Sequence, residues 1–368
     1  MDANAAQVAP PIHTLVPDSE RPTTVRSLQM LRFVAAFSVV VFHGYIASGG
    51  KEVAVDNQLT TRAFGIGAAG VHIFFVISGF VMVLTALRGP RNVSPAAFLT
   101  RRLLRIYPIY WLLAAIYVAA YQVMGTPYNL NSWDLIGAIL LVSPQSSYII
   151  GPGWTLSYEM YFYLIFGAFL FLPKRFVVPG LSLFMVASVA AGGLFKPFGS
   201  SQPIALNALL MEFVAGCWVA KFHLGGRVLP APMAVLAVAA AIALFAAGIV
   251  FDASGIPTLF RWGVPSTLLV LGALSLERIF TRPVLIAAAK LGDSSYFLYL
   301  CHILALDVLL LAFNPGTFNN DGARTLFAWG SALLLTALAA AGHRWIEKPM
   351  LKLLGPVVLR KTTAARRA

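Results

Sequence analysis

The chain is poor in charged residues and in cysteine, and both shortages exclude classes of protein. Charged side chains make up 11% of its 368 residues, against about a quarter in a soluble domain. Its two cysteines, Cys217 and Cys301, lie in apolar runs, so neither a disulfide framework nor a zinc site is expected. The sequence also lacks a Walker motif, zinc-ligand histidine spacing and a serine nucleophile elbow. We therefore expect no bound metal and no permanently bound cofactor.

Apolar residues dominate the chain instead, at 59% of the composition with a mean hydropathy of +0.79. They form eleven stretches, which predicts an all-α membrane protein because a span needs about 20 apolar residues. The stretches centre on residues 30–48, 68–88, 102–124, 134–146, 156–173, 176–194, 204–222, 231–251, 260–276, 291–313 and 324–345. The Lys and Arg residues that give the net charge of +13 are concentrated at one membrane face, so no nucleic-acid partner is expected.

Lysine and arginine positions indicate how many stretches cross the membrane. The fourth, 134–146, is short, contains Asp134 and runs into a segment with proline and glycine. If it does not cross, five of the 27 Lys and Arg residues lie outside, whereas 16 lie outside if it does. Only the first count obeys the positive-inside rule. We predict ten transmembrane helices, a re-entrant or interfacial fourth stretch, and residues 143–155 as a cavity wall on the outer side.

The domain organisation follows from this topology. Residues 1–26 are polar and lack the basic region and short apolar core of a signal peptide. They are predicted to be a disordered cytoplasmic tail. Residues 27–350 form one transmembrane domain, and residues 351–368 form a basic cytoplasmic tail. Both termini are therefore expected in the cytoplasm.

Arg32 and His43 are the first candidate site residues, and all residues between them are apolar except Ser38. Eleven helical steps return both cations to one face, about 16 Å apart along the axis. Ionisable groups inside a bilayer are costly and often functional, and histidine titrates near neutrality. The simpler interpretation is that Arg32 anchors the helix at the headgroups and His43 is a packing residue.

A basic cluster, Arg101, Arg102 and Arg105, lies at the inner end of the third predicted helix. Arg101 and Arg105 share a helix face at i, i+4, with Arg102 beside them. Guanidinium groups bind phosphates well, so the cluster could hold an anionic ligand from the cytosol. The alternative is a topology signal that contacts lipid headgroups.

Two further segments carry polar groups at membrane depth. Trp154, Ser157 and Glu159 enter from outside on one span. Glu159 could hold a histidine in place or pair with an arginine. Tyr296 and His302 lie on a later span, where hydroxyls and a histidine could equally serve as interhelical hydrogen bonds.

Together these groups suit general-base activation of a hydroxyl. A phosphorylated donor would enter from the cytosol and an acceptor would approach from the outer leaflet. A competing hypothesis is a transporter or flippase for an anionic glycolipid, with the buried charges acting as a relay.

Six motifs resemble those of the integral-membrane acyltransferase 3 family and occur in the family's order between about residues 26 and 350. They are Arg32-x10-His43, Gly70-Val-His-Ile-Phe74-Phe75-Val-Ile-Ser78-Gly79-Phe80, Arg101-Arg102-x-x-Arg105-x-x-Pro108, Trp154-x-Leu156-x-x-Glu159, Gly292-x-x-Ser295-Tyr296-x-x-Tyr299-Leu300-x-His302 and Glu347-Lys348-Pro349. The sequence is most similar to members that acetylate bacterial exopolysaccharides, notably at residues 153–159.

The resemblance implies an acyl-CoA co-substrate, acetyl-CoA above all, and O-acylation of a carbohydrate or glycolipid at a bacterial inner membrane. A small molecule such as a macrolide, peptidoglycan or a membrane lipid remains an alternative acceptor. Many relatives carry an extracytoplasmic esterase-like domain after the last span, so a partner protein could complete the transfer here.

The resemblance also suggests a role for each candidate residue. His43 would be the general base or a transient acyl carrier, and Glu159 would orient it. Donor or substrate binding would fall to the remaining candidates: Arg32, Arg101, Arg102, Arg105, Trp154, Ser157, Tyr296 and His302.

Overall fold

The computed structural model describes residues 25–50, 58–89, 93–142, 148–195, 203–251, 255–314 and 317–354. Within these ranges the chain is all-α and contains no strand. The α-helices are α1 (Arg26–Tyr45), α2 (Gln58–Gly65), α3 (Ala69–Leu87), α4 (Pro95–Val123), α5 (Ser132–Leu140), α6 (Gly153–Phe169), α7 (Lys174–Phe195), α8 (Leu210–Leu224), α9 (Ala231–Val250), α10 (Val264–Ser275), α11 (Pro283–Leu291), α12 (Ser295–Leu310) and α13 (Asp321–Gly342). Most of the two predicted tails, and residues 143–147 of the predicted cavity wall, lie outside the described residues.

Seven helical segments of the described residues are long and apolar enough to cross a membrane. They are Arg26–Gly49, Thr60–Leu87, Pro95–Val123, Lys174–Phe195, Ala231–Val250, Pro283–Leu310 and Asp321–Leu354. Three more predicted spans coincide with α6, α8 and α10, which have 17, 15 and 12 residues. Because a span needs about 20 residues, the predicted count of ten is not confirmed.

The fourth apolar stretch contains the short helix α5, which has nine residues. Nine residues rise only about 13 Å, against roughly 30 Å of hydrocarbon. Its last carbonyls accept hydrogen bonds from α4: Tyr110 donates to Ala138 at 2.7 Å and Tyr107 donates to Leu140 at 2.7 Å. These bonds satisfy carbonyls that a helix end leaves without partners. The helix can therefore end beside α4 without crossing.

A reporter experiment tests this topology. We expect enzymes fused into residues 125–132 and into residues 147–153 to report the same, extracytoplasmic side, because the intervening segment is too short to cross. Reporters fused after residue 90 and after residue 354 serve as controls and should both report the cytoplasm. Opposite sides for the first two fusions would contradict the predicted topology.

Helix α1 is fixed at both ends by residues distant in sequence. The Glu277 carboxylate accepts hydrogen bonds from the backbone N–H groups of Arg26 and Ser27 at 2.7 and 2.9 Å. At the other end, Tyr45 donates to Asp321 at 3.0 Å. An acidic group at a helix N-terminus is stabilising because it meets unpaired N–H groups and the positive end of the dipole. We call the Arg26 side the basic end of the bundle and the Tyr45 side the distal end.

Glycine allows α3 to pack closely against α8. A Cβ built on Gly79 would lie 2.0 Å from the Phe213 carbonyl oxygen, and one on Gly216 would lie 2.0 Å from the Val76 oxygen. Small residues let membrane helices approach in this way. The contact brings α3 into register with its neighbours and helps to define the cavities described below.

Replacing Gly79 with alanine should therefore destabilise the protein by about 1–3 kcal/mol, the usual cost of overpacking. The matched control is Gly248→Ala in α9, where a Cβ meets nothing within 4 Å. Thermal unfolding of the detergent-solubilised protein should show a lower midpoint for Gly79→Ala and no decrease for Gly248→Ala. Equal midpoints would contradict the close packing.

Candidate active site

A cavity of about 420 Å³ lies around His43, towards the distal end. We call it the distal cavity. Its lining comes from α1, α3, α6, α12 and the residues before α6: Val39, Phe42, His43, Ala68, Val71, Gly151, Pro152, Trp154, Tyr299 and Ile303. The predicted candidates His43 and Trp154 therefore share one cavity. Gly151 and Pro152, part of the predicted cavity wall, also line it.

His43 is paired with His302, and two backbone carbonyls define the protonation of both rings. Nδ1 of His302 lies 2.7 Å from the Tyr299 carbonyl oxygen, and Nδ1 of His43 lies 2.9 Å from the Val39 carbonyl oxygen. A carbonyl can only accept, so each Nδ1 carries the proton. Nε2 of His302 lies 3.3 Å from Nδ1 of His43 and can accept from it.

It follows that a neutral His43 keeps its lone pair on Nε2. A histidine with this tautomer can accept a proton from a bound hydroxyl. His302 is fully buried and lies behind His43 rather than among the lining residues of either cavity. A role of His302 in donor or substrate binding stays a prediction, and its ring lies against His43.

A second cavity, of about 110 Å³, lies towards the basic end. We call it the basic cavity. Its polar lining residues are Arg32, Ser78, Arg102, Arg105, Thr155, Glu159, Tyr163, Tyr296 and Tyr299. Three guanidinium groups and one carboxylate give it an excess of positive charge, so it suits an anionic or strongly polar ligand.

Arg32 is held at this cavity by a chain of hydrogen bonds. Its Nη1 donates to Gln29 at 3.1 Å, and the Gln29 amide donates to Asp293 at 2.8 Å. Arg105 repels the Arg32 charge, whereas Glu159 attracts it. Arg32 is thus part of a polar network that links α1 to Asp293.

The arginines of α4 differ in their positions. Arg102 donates to the Thr85 hydroxyl at 2.6 Å, and its guanidinium lies 5.9 Å from the centre of the Tyr163 ring. Arg101 and Arg105 are both exposed, but only Arg105 lines the basic cavity, together with the half-buried Arg102. Residues 102 and 105 are three positions apart and so share a helix face. The predicted group of three is therefore reduced to two at the cavity.

Glu159 also differs from the sequence-based hypothesis. Its carboxylate accepts hydrogen bonds from Ser78 and from Tyr163, the latter at 2.9 Å. It lines the basic cavity with the arginines, whereas His43 lines the distal cavity. Among the described residues, the Glu159 carboxylate thus hydrogen-bonds two hydroxyl groups and neither a histidine nor an arginine, although it shares a cavity with three arginines. The physical reason is that α6 turns Glu159 towards α3 and α4.

The remaining candidates divide between the two regions. Tyr296 lines the basic cavity and donates to the Ile106 carbonyl at 3.0 Å. Ser157 is buried and lines neither cavity, because it lies on another face of α6. The sequence analysis missed Gln29, Thr85 and Tyr163. Gln29 and Tyr163 lie three and four residues from a chosen residue, so helical spacing could have identified them.

Val71 and Tyr299 line both cavities. The cationic groups and the histidine pair therefore lie at two depths of one helical bundle, separated by a shared wall. A buried imidazole at one depth and guanidinium groups at another define a membrane protein that could bind an anionic donor and activate a hydroxyl.

Comparison with known proteins identifies the class more closely. The acyltransferase 3 family model, described as an acyltransferase domain, matches residues 25–347. This range covers every helix described above, so the chain belongs to the acyltransferase 3 family and is a membrane-embedded transferase.

Three relatives extend this comparison. The exopolysaccharide production protein ExoZ of Rhizobium meliloti (strain 1021) is 34% identical over 307 residues, covering 80% of this chain and 93% of ExoZ. The acyltransferase MdmB of Streptomyces mycarofaciens is 29% identical over 374 residues, covering 91% and 94%. The putative membrane-bound transacylase BcsY of Komagataeibacter xylinus is 28% identical over 305 residues, covering 75% and 72%. No solved structure matches the chain.

Proposed function

We propose that this protein transfers an acyl group, most simply acetyl, from cytoplasmic acyl-CoA to a hydroxyl group of an extracytoplasmic or lipid-linked carbohydrate. The observation that carries the proposal is that the arginines and the histidine pair lie at different depths of the bundle. Arginines line the basic cavity, His43 lines the distal cavity with His302 in contact with its ring, and one shared wall lies between the two cavities.

The basic end suits the donor. Arg32, Arg102 and Arg105 can attract the phosphates of CoA, since guanidinium groups bind phosphate through several parallel hydrogen bonds. At about 110 Å³ the basic cavity is smaller than the roughly 300–1,000 Å³ of a site for a drug-sized ligand. The nucleotide would therefore stay at the cavity mouth, and only the thioester end of the donor would enter.

The distal end suits the acceptor and the chemistry. Nε2 of His43 accepts the proton of the acceptor hydroxyl while the hydroxyl oxygen attacks the thioester carbonyl carbon. The carbon–sulfur bond breaks, and the departing thiolate takes the proton from Nε2. His302 and the Val39 carbonyl keep Nδ1 of His43 protonated throughout, which stabilises the transient imidazolium.

A carbohydrate acceptor is supported by the name of ExoZ, an exopolysaccharide production protein, and by the aromatic ring of Trp154 in the distal cavity. The bacterial origin of ExoZ and BcsY, with the charge distribution of the chain, supports a bacterial inner membrane with both termini in the cytoplasm.

The test uses membrane vesicles containing the protein and radiolabelled acetyl-CoA. We expect release of free CoA, measured with a thiol reagent, together with label in the polysaccharide or glycolipid fraction as an alkali-labile ester. Vesicles with His43→Ala serve as the control. Movement of an anionic glycolipid across the membrane without CoA release would instead support a flippase. Label in a macrolide, peptidoglycan or phospholipid fraction would change the acceptor but retain the reaction.

A further inference from the structure

Two side chains lie between the two cavities, and they come from different helices. Val71 lies on α3 and Tyr299 lies on α12, and among the residues that the structure describes these two line both cavities. Tyr299 is buried, with 7% of its surface exposed. Its ring packs edge-on against Phe74, at 5.6 Å between centres, and lies 5.8 Å from the His302 ring.

Hydrogen bonds hold the Tyr299 ring across this boundary. The Thr155 hydroxyl donates its single proton to the Pro152 carbonyl at 2.9 Å. The hydrogen bond between Tyr299 and Thr155, 3.1 Å long, must therefore be donated by Tyr299. Pro152 lines the distal cavity and Thr155 lines the basic cavity. This chain of bonds spans both sides of the wall and fixes the ring between them.

Val71 is the other residue of this boundary, and its apolar side chain makes no hydrogen bond. The direct route for a thioester from the arginines to His43 runs past the two residues that both cavities share, Val71 and Tyr299. The side chain of Val71 is thus the smaller and more easily altered part of the passage. An apolar wall of this kind discriminates by size, because an added methylene must displace a packed side chain.

We propose that Val71 and Tyr299 form a septum through which the acyl-bearing end of the donor reaches His43, and that the bulk of Val71 restricts the donor to short acyl groups. The inference rests on the transferase function proposed above and adds a determinant of donor specificity to it. It assigns Tyr299 a positioning role, as the ring that closes the passage.

The first test compares acetyl-, propionyl- and butyryl-CoA as donors. Val71→Ala should raise the ratio of kcat/KM for butyryl-CoA to that for acetyl-CoA by at least about tenfold, since one methylene changes specificity by roughly 10–200-fold. Val71→Leu should lower the ratio of kcat/KM for propionyl-CoA to that for acetyl-CoA. The matched control is Val83→Ala, a buried valine of α3 that lines neither cavity, which should leave both ratios unchanged. Unchanged ratios in the Val71 variants of an active enzyme would overturn the inference.

The second test does not depend on acyl transfer. Ala68, in the distal cavity, is replaced with cysteine in a chain with Cys217→Ala and Cys301→Ala. A small membrane-impermeant thiol reagent is applied in vesicles to the face at the basic end. We expect slow labelling of residue 68, and labelling at least tenfold faster when Tyr299→Ala is added. Tyr110→Phe, which loses a buried hydroxyl away from both cavities, should not change the rate.

The two proposals fail in different ways. If the parent protein releases no CoA with any acceptor, the transferase proposal fails, and the labelling rates still decide whether the septum exists. If transfer occurs but residue 68 is labelled from the basic end equally fast with and without Tyr299→Ala, the septum is excluded while the transferase proposal stands.

Discussion

Replacing His43 with alanine is expected to lower the rate of acyl transfer by about 10²–10⁴-fold, the usual contribution of a general base. The protein should still fold and insert, because His43 is only half-buried and borders a cavity of about 420 Å³. Turnover should be measured in membranes at matched expression, with CoA release and labelled ester followed together.

Two variants make this experiment specific. His302→Ala removes the ring that contacts Nδ1 of His43 but leaves the Val39 hydrogen bond, so it should reduce kcat less than His43→Ala does. His223→Ala removes a histidine of α8 that lines neither cavity and should leave turnover near that of the parent. Near-parental activity of His43→Ala would exclude it as the base.

Removing either cavity arginine of α4 should raise the apparent KM for acyl-CoA more than that for the acceptor. In the proposed function, Arg102→Ala and Arg105→Ala each remove a phosphate contact that acts mainly on binding, so the KM for the donor should rise by about tenfold with a smaller change in kcat. The difference from the parent should shrink at high salt, because ions screen charges beyond about 8–10 Å near physiological ionic strength.

Arg101→Ala is the matched control for this experiment. It removes the same charge from the same turn of α4, and so the same topology determinant, but Arg101 is exposed and does not line the cavity. Donor titrations at low and high salt should separate it from the other two variants. If all three variants bind acyl-CoA like the parent, the cluster is a topology signal and the donor binds elsewhere.

Features governed by helical periodicity could be predicted from the sequence. Eleven steps between Arg32 and His43 place both on one face, and both line cavities that share the same wall. The apolar runs likewise indicate an all-α membrane protein. Such features depend on geometry within one helix, which the spacing of residues defines.

Features governed by contacts between helices could not be predicted in the same way. Glu159 was expected near a histidine or an arginine, but its hydrogen bond from Ser78 depends on how α6 packs against α3. The choice of Arg102 over Arg101 depends on the rotation of α4 about its own axis. The number of spans could not be predicted in this way either, because α6 and α8, with 17 and 15 residues, are shorter than the roughly 20 residues that a span needs.

The arginines of the basic cavity have a consequence for the membrane as an electrical insulator. Two cavities at different depths of one bundle leave only a thin barrier between the two sides of the bilayer. Such a thin barrier would favour leakage of protons and sodium ions. A fixed excess of positive charge raises the electrostatic barrier for every small cation, as arginine does in water-selective pores. Arg32, Arg102 and Arg105, which outnumber the one carboxylate beside them, would thus admit an anion while preserving the proton gradient of the cell.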